Sequence, residues 1–356
     1  MATSFTVSKL TSNSPTKPLH ELYESTLGLV SPYSLPSNKF HSLLTAPQSQ
    51  IFIATSTSSP TSSSPILGFA LTYLIRAGSA SNKSLQHYKG AIALLIVHPS
   101  HRNHGIGSAL HAAALEHLTQ SVRSSFNNSY PKPTSSQIQL GSTFPRIWPG
   151  VPNGPEFDEA KLWFQRRGWV FKDECSIDLY RSLDDSVVEE LSLNEMVKKA
   201  EGHEITFGCP EAKDIQGLLE LQKEEFDTYT GWPDMFPALL DAGQSQDIWC
   251  AFDKSGQVIG ATVAALEPDG PMLEVLAWPA TIGKRCASIA CVGISSKSRG
   301  TGAGVALVAS ATMNLARRGA DGCFIDWVSL KGFYQRCGYE PWAKGYWEAW
   351  RDVNEV

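Results

Sequence analysis

The six residues RNHGIG (102–107) lie between an unbroken apolar run, AIALLIV (91–97), and a segment with helical spacing of apolar residues, SALHAAALEHL (108–118). A strand, a tight glycine-bearing turn and a helix start, in that order, leave a row of backbone N–H groups unpaired at the front of the helix. The helix dipole adds partial positive charge at the same place, so the turn suits a phosphate or pyrophosphate. The chain repeats the arrangement 197 positions later, with SIACVGI (288–294), RGTGAG (299–304) and VALVASATMNLARRG (305–319). One glycine-rich helix start is weak evidence for an anion site, and two in equivalent settings are much stronger.

Around the first copy, FTVSKL (5–10) alternates as a strand does, and PLHELYESTLGL (18–29) and NKFHSLLTA (38–46) carry helical spacing. IFIATS (51–56) and ILGFALTYLI (66–75) are predicted strands joined by the Ser/Pro tract TSSPTSSSP (57–65), a flexible hairpin loop. After the helix, the polar, Pro-broken stretch 121–137 is predicted to be a disordered insertion, and IQLGS (138–142) a short strand. FPRIWPGVPNGPE (144–156) reads either as a rigid, shaped wall or as an exposed connector. FDEAKLWFQRRGW (157–169) predicts an amphipathic helix ended by Gly168, and FKDECSIDLYRSL (171–183) a strand.

The second copy follows the same order. Strand EITFGCP (204–210) precedes helices AKDIQGLLELQKEEFDTY (212–229) and PALLDAG (237–243), and IWCAFD (248–253) forms a hairpin with QVIGATVAAL (257–266). After the SIACVGI strand, its turn and its helix come strand GCFIDWV (322–328), helix SLKGFYQRCGY (329–339) and strand YWEAW (346–350). This alternation predicts an α/β (α+β) layer around a mixed sheet, present twice in tandem. We place one domain at 1–182, a charged linker at 183–204 and the second domain at 205–356.

A length of 356 residues supplies two cores, and the apolar and charged fractions are those of an ordinary globular protein. With a net charge of −5 and scattered basic residues, no positive field favours nucleic acid as a partner. The cysteines (175, 209, 250, 286, 291, 323, 337) form no C-x-x-C pair and no zinc-spaced set with histidine, which predicts reduced thiols and no metal. MATSFTVSKL lacks an apolar signal core, and no stretch approaches the ~20 apolar residues of a membrane span. The expectation is a cytoplasmic protein without a membrane partner.

The order and motifs resemble the GNAT superfamily of acetyl-coenzyme A-dependent N-acyltransferases, over nearly the whole chain outside 121–137 and 183–204. The resemblance implies two tandem domains, each a mixed, mostly antiparallel sheet flanked by helices, with the fourth strand splayed from the fifth. It implies that pantetheine pairs with the fourth strand at Leu95, Ile96 and Val97, and at Val292, Gly293 and Ile294. The pyrophosphate would rest on the Q/R-x-x-G-x-G/A loop, here Arg102, Asn103, His104, Gly105, Ile106 and Gly107, and again Arg299, Gly300, Thr301, Gly302, Ala303 and Gly304. Glycine lets the main chain approach phosphates that a Cβ would hold away, and the arginine adds a charge-assisted contact. Acetyl-coenzyme A is the implied co-substrate.

Family members often place a tyrosine four residues before the terminal glycine of the next helix, where its phenol protonates the leaving thiolate. Tyr334 holds that place before Gly338, whereas the first half has Phe164 before Gly168. The resemblance therefore places the chemistry in the second half, with Tyr334 as general acid. Asp326, on the strand facing the splay among Phe324, Ile325 and Trp327, is the candidate base, with Glu267 and Glu274 as alternatives. Tyr229, Trp232 and Asp234 occupy the usual acceptor loop, and Trp327 joins them as a substrate-binding candidate. An aromatic platform beside a carboxylate suits a small cationic, hydroxylated amine, and WPGVP (148–152) resembles members that acetylate glucosamine. The expected reaction is direct acetyl transfer to such an amine in a ternary complex. A non-catalytic acyl-coenzyme A sensor and a protein or peptide N-acetyltransferase remain the alternatives. Acceptor identity, oligomeric state and occupancy of the two loops stay open at this level.

Overall fold

The computed structural model describes residues 4–11, 15–57, 65–77, 87–127 and 137–353. Residues 58–64 of the Ser/Pro tract and 128–136 of the stretch expected to be disordered lie outside these residues, whereas 121–127, expected to belong to that insertion, are helical because the preceding helix runs on through them. In chain order, β1 (Phe5–Lys9) is followed by α1 (Lys17–Glu24) and α2 (Ser37–Leu44). The antiparallel run β2 (Ser49–Ser56), β3 (Ile66–Ala77) and β4 (His87–Val97) leads to α3 (Ile106–Asn127). Next come β5 (Gln137–Leu140), β6 (Val151–Pro152), α4 (Pro155–Gln165), β7 (Val170–Phe171) and β8 (Ser176–Ser182). The second half adds α5 (Leu191–Glu201), β9 (Thr206–Gly208), α6 (Ile215–Phe226), α7 (Trp232–Asp241), β10 (Ile248–Phe252) and β11 (Val258–Ala265). It continues through α8 (Pro271–Glu274), α9 (Pro279–Ile282), β12 (Cys286–Ile294), α10 (Ala303–Arg317), β13 (Gly322–Val328), β14 (Glu340–Trp347) and β15 (Ala349–Asp352).

The described residues fall into two compact units, 4–77 with 87–175 and 346–353, and 176–345. In the first unit the strand order is β1-β2-β3-β4-β5-β15-β7, and in the second it is β14-β8-β13-β12-β11-β10-β9. The units therefore do not divide where the sequence repeat divides. β8 belongs by sequence to the first half, yet it pairs antiparallel with β13 from Gly322↔Ser182 to Val328↔Ile177. β15 comes after the second half, yet it sits between β5 and β7. Periodicity reports that a strand exists but not its partner, so the exchange was invisible in the sequence.

Residues 183–204, read above as a linker, are built into the second unit. Val187 and Leu193 are buried in the core around α10, with Met196 and Val197 packed against it. The charged residues of α5 occupy the opposite stripe, which is what an amphipathic helix shows. α10 itself is rich in alanine, a strong helix former, and is buried on nearly all sides. The expected helix at 329–339 is reduced to one 3-10 turn, Tyr334–Cys337, because Gly332 and Gly338 both adopt left-handed φ and leave no room for an α-helix between them.

Each unit has a short parallel strand pair. β4 pairs with β5 from Gly90↔Ile138 to Ile92↔Leu140, and β12 with β13 from Cys286↔Gly322 to Ser288↔Phe324. Beyond Ile92 and Ser288 the ladders stop, so the ends of β4 and β12 have no strand on that side. Both splayed strands also carry a bulge against their antiparallel neighbour, opposite Leu71/Thr72 in the first unit and Ala261/Val263 in the second. These two V-shaped openings position everything that follows.

Candidate functional site

The two glycine loops have the same backbone. β4 and β12 each pass through a 3-10 turn, Pro99–His101 and Ser296–Ser298, into an arginine with φ −67°. The Nε of Arg102 donates to the Val97 carbonyl at 3.4 Å, and that of Arg299 to the Ile294 carbonyl at 3.3 Å. Two left-handed residues follow in each, Asn103 and Gly105 at φ 63° and 83°, and Gly300 and Gly302 at 82° and 87°. A Cβ added at Gly105 or Gly302 would meet nothing within 4 Å. The glycine is thus demanded by φ, and the space in front of it is open for a group approaching the main chain. At Gly107 and Gly304 a Cβ would stand 3.5 Å from Val97 and Ile294, so each helix start rests at van der Waals distance on its strand. Open cradle, helix start and unpaired strand edge together fit the pyrophosphate and pantetheine of acetyl-coenzyme A.

Charge separates the loops. The carboxylate of Glu225, at the end of α6, accepts hydrogen bonds from the Ser296 N–H and hydroxyl at 2.8 and 2.7 Å and pairs with Arg299 at 3.3 Å. Ser296, and then Arg299, hold this carboxyl below its usual range. The first loop carries histidines at 98, 101 and 104 where the second has Ser295, Ser298 and Thr301. Glu225 was missed in the sequence because its partners lie 70 or more residues away.

In the second unit Tyr334 lies within electrostatic reach of Asp326. Asp326 and Trp327 form a bulge in β13 opposite one residue of β8, Asp178. Trp327 has φ 48°, and its N–H donates to Asp178 Oδ1 at 2.9 Å; Asp178 is 1% exposed. This buried carboxylate, also unrecognised from the sequence, pins the bulge that sets the direction of Asp326. The Tyr334 phenol has its pKa pushed up, first by burial, then by the Asp326 charge and the thiols of Cys291 and Cys337. Cys291 marks the β12 bulge with φ 54°. Such a phenol keeps its proton at neutral pH and acts as a hydrogen-bond donor toward developing negative charge.

The first unit fills the corresponding places with apolar groups. Phe164 is buried on α4, edge-on to Trp163 at 4.9 Å, and has no proton to give. The 144–156 segment is a wall and not an exposed connector: Ile147, Trp148 and Val151 are buried. Trp148 stands edge-on to Tyr33 at 5.1 Å, and both rings pack with Phe157. Tyr33 lies between α1 and α2, so the region equivalent to the acceptor loop is closed by aromatic packing.

In the second unit that loop is open. Tyr229, 51% exposed, stacks on Trp232 with ring centroids 4.7 Å apart and an interplanar angle of 31°. Both rings pack on Phe226. A Cβ at Gly293 would come within 2.4 Å of the Phe226 ring, so the ring lies directly on β12 at the strand edge assigned to pantetheine. Asp234 sits in the first turn of α7. Glu267 and Glu274 are both exposed.

Residues 16–126 and 215–339 match the sequence model of the acetyltransferase (GNAT) family. Among solved structures, a region of a fungal multi-domain GH3 β-N-acetylglucosaminidase, described as a GCN5-related glucosamine N-acetyltransferase region, is 25% identical with a TM-score of 0.82. The match covers 98% of this chain and 38% of that one, so this chain spans well under half of that protein. A GCN5-related N-acetyltransferase from Sphaerobacter thermophilus has a TM-score of 0.60 at 13% identity, covering 98% of this chain and 96% of that one. A tandem GNAT protein from the clavulanic acid biosynthesis pathway has a TM-score of 0.57 at 13% identity, covering 98% and 99%. These two share the fold. No curated protein matches the chain in sequence.

Proposed function

Because the chain belongs to the acetyltransferase (GNAT) family, we propose that it transfers the acetyl group of acetyl-coenzyme A to the primary amine of a small acceptor, an amino sugar such as glucosamine, and that the second unit does the chemistry. The observation that carries this reading is that Tyr334 lies within electrostatic reach of Asp326 on β13 and Cys291 on β12, where the first unit has Phe164. Bound acetyl-coenzyme A supplies an activated thioester and a thiolate leaving group. Gly300 and Gly302 let the main chain meet the pyrophosphate, and Val292, Gly293 and Ile294 offer backbone groups to pantetheine. Asp326 accepts a proton from the acceptor ammonium, directly or through water, leaving the free amine as nucleophile. Tyr334 donates a hydrogen bond to the sulfur as charge develops on it. Tyr229 and Trp232 give the acceptor a stacking surface, with Asp234 as a countercharge. The similarity to the fungal glucosamine N-acetyltransferase region supports an amino sugar as acceptor.

The first unit repeats the phosphate loop while its acceptor region is closed by Tyr33, Trp148 and Phe157, which favours coenzyme binding there without turnover. Free-thiol release from acetyl-coenzyme A with glucosamine tests the reading. Tyr334→Phe is expected to cut turnover roughly 100-fold or more, while Arg102→Ala leaves it within a few-fold. The reverse pattern would move the active site to the first unit. Coenzyme binding with no thiol release from any amine in a panel would leave a non-catalytic acyl-coenzyme A sensor.

A further inference from the structure

Helix α6 buries Leu218, Leu221, Gln222 and Phe226, one stripe at helical spacing. Three of these are apolar and one is an amide. Gln222 is 2% exposed, and neither its Nε2 nor its Oε1 has a hydrogen-bond partner among the described residues. An amide buried with both ends unmet is a costly choice where leucine or methionine would fill the same stripe without desolvating a polar group.

Its surroundings give the amide a use. One turn further along the same stripe, Phe226 covers Gly293 on β12 and supports the Trp232–Tyr229 stack. Ala287 and Ile289 pack into the core around α10, so strand alternation turns the intervening Ser288 to the other face, the one Phe226 covers at Gly293. Ser288 is fully buried, and its hydroxyl also has no partner among the described residues. It stands at the last paired position before β12 and β13 separate. Two unmet polar groups thus share one face of the second unit, Ser288 at the root of the splay and Gln222 one helical turn from the ring that supports the aromatic platform.

The first unit supplies the contrast. Leu19, Leu22 and Tyr23 of α1 repeat the spacing of Leu218, Leu221 and Gln222. There the third position is satisfied within the fold, because the Tyr23 hydroxyl donates to the Tyr33 carbonyl at 2.6 Å. The polar group is closed off where the acceptor region is packed shut and left unmet where it is open.

The geometry points to Gln222 as an acceptor-binding, specificity-determining residue, with Ser288 on the same face of the sheet. The amide donates through Nε2 and accepts through Oε1, so it selects an acceptor with adjacent hydroxyls, each able to donate and accept. That is the pattern of a polyhydroxylated amine, and this assignment rests on the reading of the second unit as the acetyl-transfer unit. A simple alkylamine would gain nothing from the amide and would leave it unpaired.

The test compares wild type with Gln222→Met, which keeps the length of the side chain and removes its polar ends, using glucosamine and cyclohexylamine as acceptors. The expected result is a rise of about tenfold in KM for glucosamine, with KM for cyclohexylamine, KM for acetyl-coenzyme A and kcat little changed. The melting temperature should hold or rise, because an unmet buried amide has been removed. Ser288→Ala should move the glucosamine KM in the same direction by a smaller factor. Equal effects on both amines, or none on either, would overturn the assignment and leave Gln222 as a structural residue or the holder of a trapped water. If wild type acetylates neither amine, the transferase reading falls by itself. Saturation-transfer NMR of glucosamine binding then decides on Gln222, since equal binding to wild type and Gln222→Met overturns it and selective loss in the variant upholds it.

Discussion

His111 lets the stability of the first unit be worked out as a function of pH. It lies on α3, 6% exposed, with its Nε2 accepting the indole N–H of Trp169 at 3.0 Å and aromatic rings of Trp163 and Phe164 around it. Burial, and then the nearby charges of Arg167 and Arg351, lower its pKa from 6.5 to about 4. The unfolded chain takes up this proton near pH 6.5, whereas the folded protein refuses it until about pH 4. Between those limits the unfolded state binds more protons, so stability falls as the pH drops through the window and is level on either side of it. The lowering corresponds to about 3 kcal/mol at full extent. The perturbation is His111→Gln, which keeps an acceptor for the Trp169 indole and does not titrate. Urea unfolding at pH 7.5 and pH 4 should show a loss in the wild type that exceeds the loss in the variant by about 3 kcal/mol. Equal losses in the two proteins would refute the reasoning, because other groups would then carry the whole acid dependence.

Three further outcomes concern the glycines. Gly302→Ala meets no obstruction but must hold φ 87° with a Cβ, so about 1–2 kcal/mol of stability is lost. Its coenzyme A affinity should fall by a larger factor in calorimetric titration; unchanged affinity would remove the loop from the coenzyme site. Gly304→Ala, whose Cβ would reach Ile294 and Phe333 at an ordinary 3.5 Å, should leave binding nearly intact in the same titration. Gly293→Ala would place its Cβ 2.4 Å from the Phe226 ring and displace it. Acetyl transfer to glucosamine should then drop at least tenfold in kcat/KM, and a wild-type value would separate the aromatic stack from the acceptor.

What the sequence made legible was local. Both RxxGxG loops were identified because a strand end, two glycines and a helix start lie within a few residues, and their backbones proved alike down to the arginine-to-strand hydrogen bond. Tyr334 stands out in the sequence by its offset from Gly338, although the helix expected around it is one 3-10 turn. The aromatic loop at 229–234 was likewise visible, and Tyr229 and Trp232 do stack. The residues that were missed act across long separations. Glu225 reaches Ser296, Asp178 pins Trp327, and Gln222 is conspicuous only because its burial leaves it without a partner. A sequence pattern records how hydrophobic a position is but not which strand it pairs with. The exchange of β8 and β15 and the incorporation of 183–204 into the second core were therefore hidden.

That exchange bears on how the protein is made. As the chain leaves the ribosome, the sheet of the first unit has an empty slot between β5 and β7, which residues 349–352 fill only after nearly the whole second half has been synthesised. Until then β5 presents an unpaired edge, the kind of surface that invites pairing with another nascent chain. A fragment ending at residue 182 would lack β15 for its sheet, and one starting at 183 would lack β8. Neither half can therefore be excised without taking a strand from the sheet of the other.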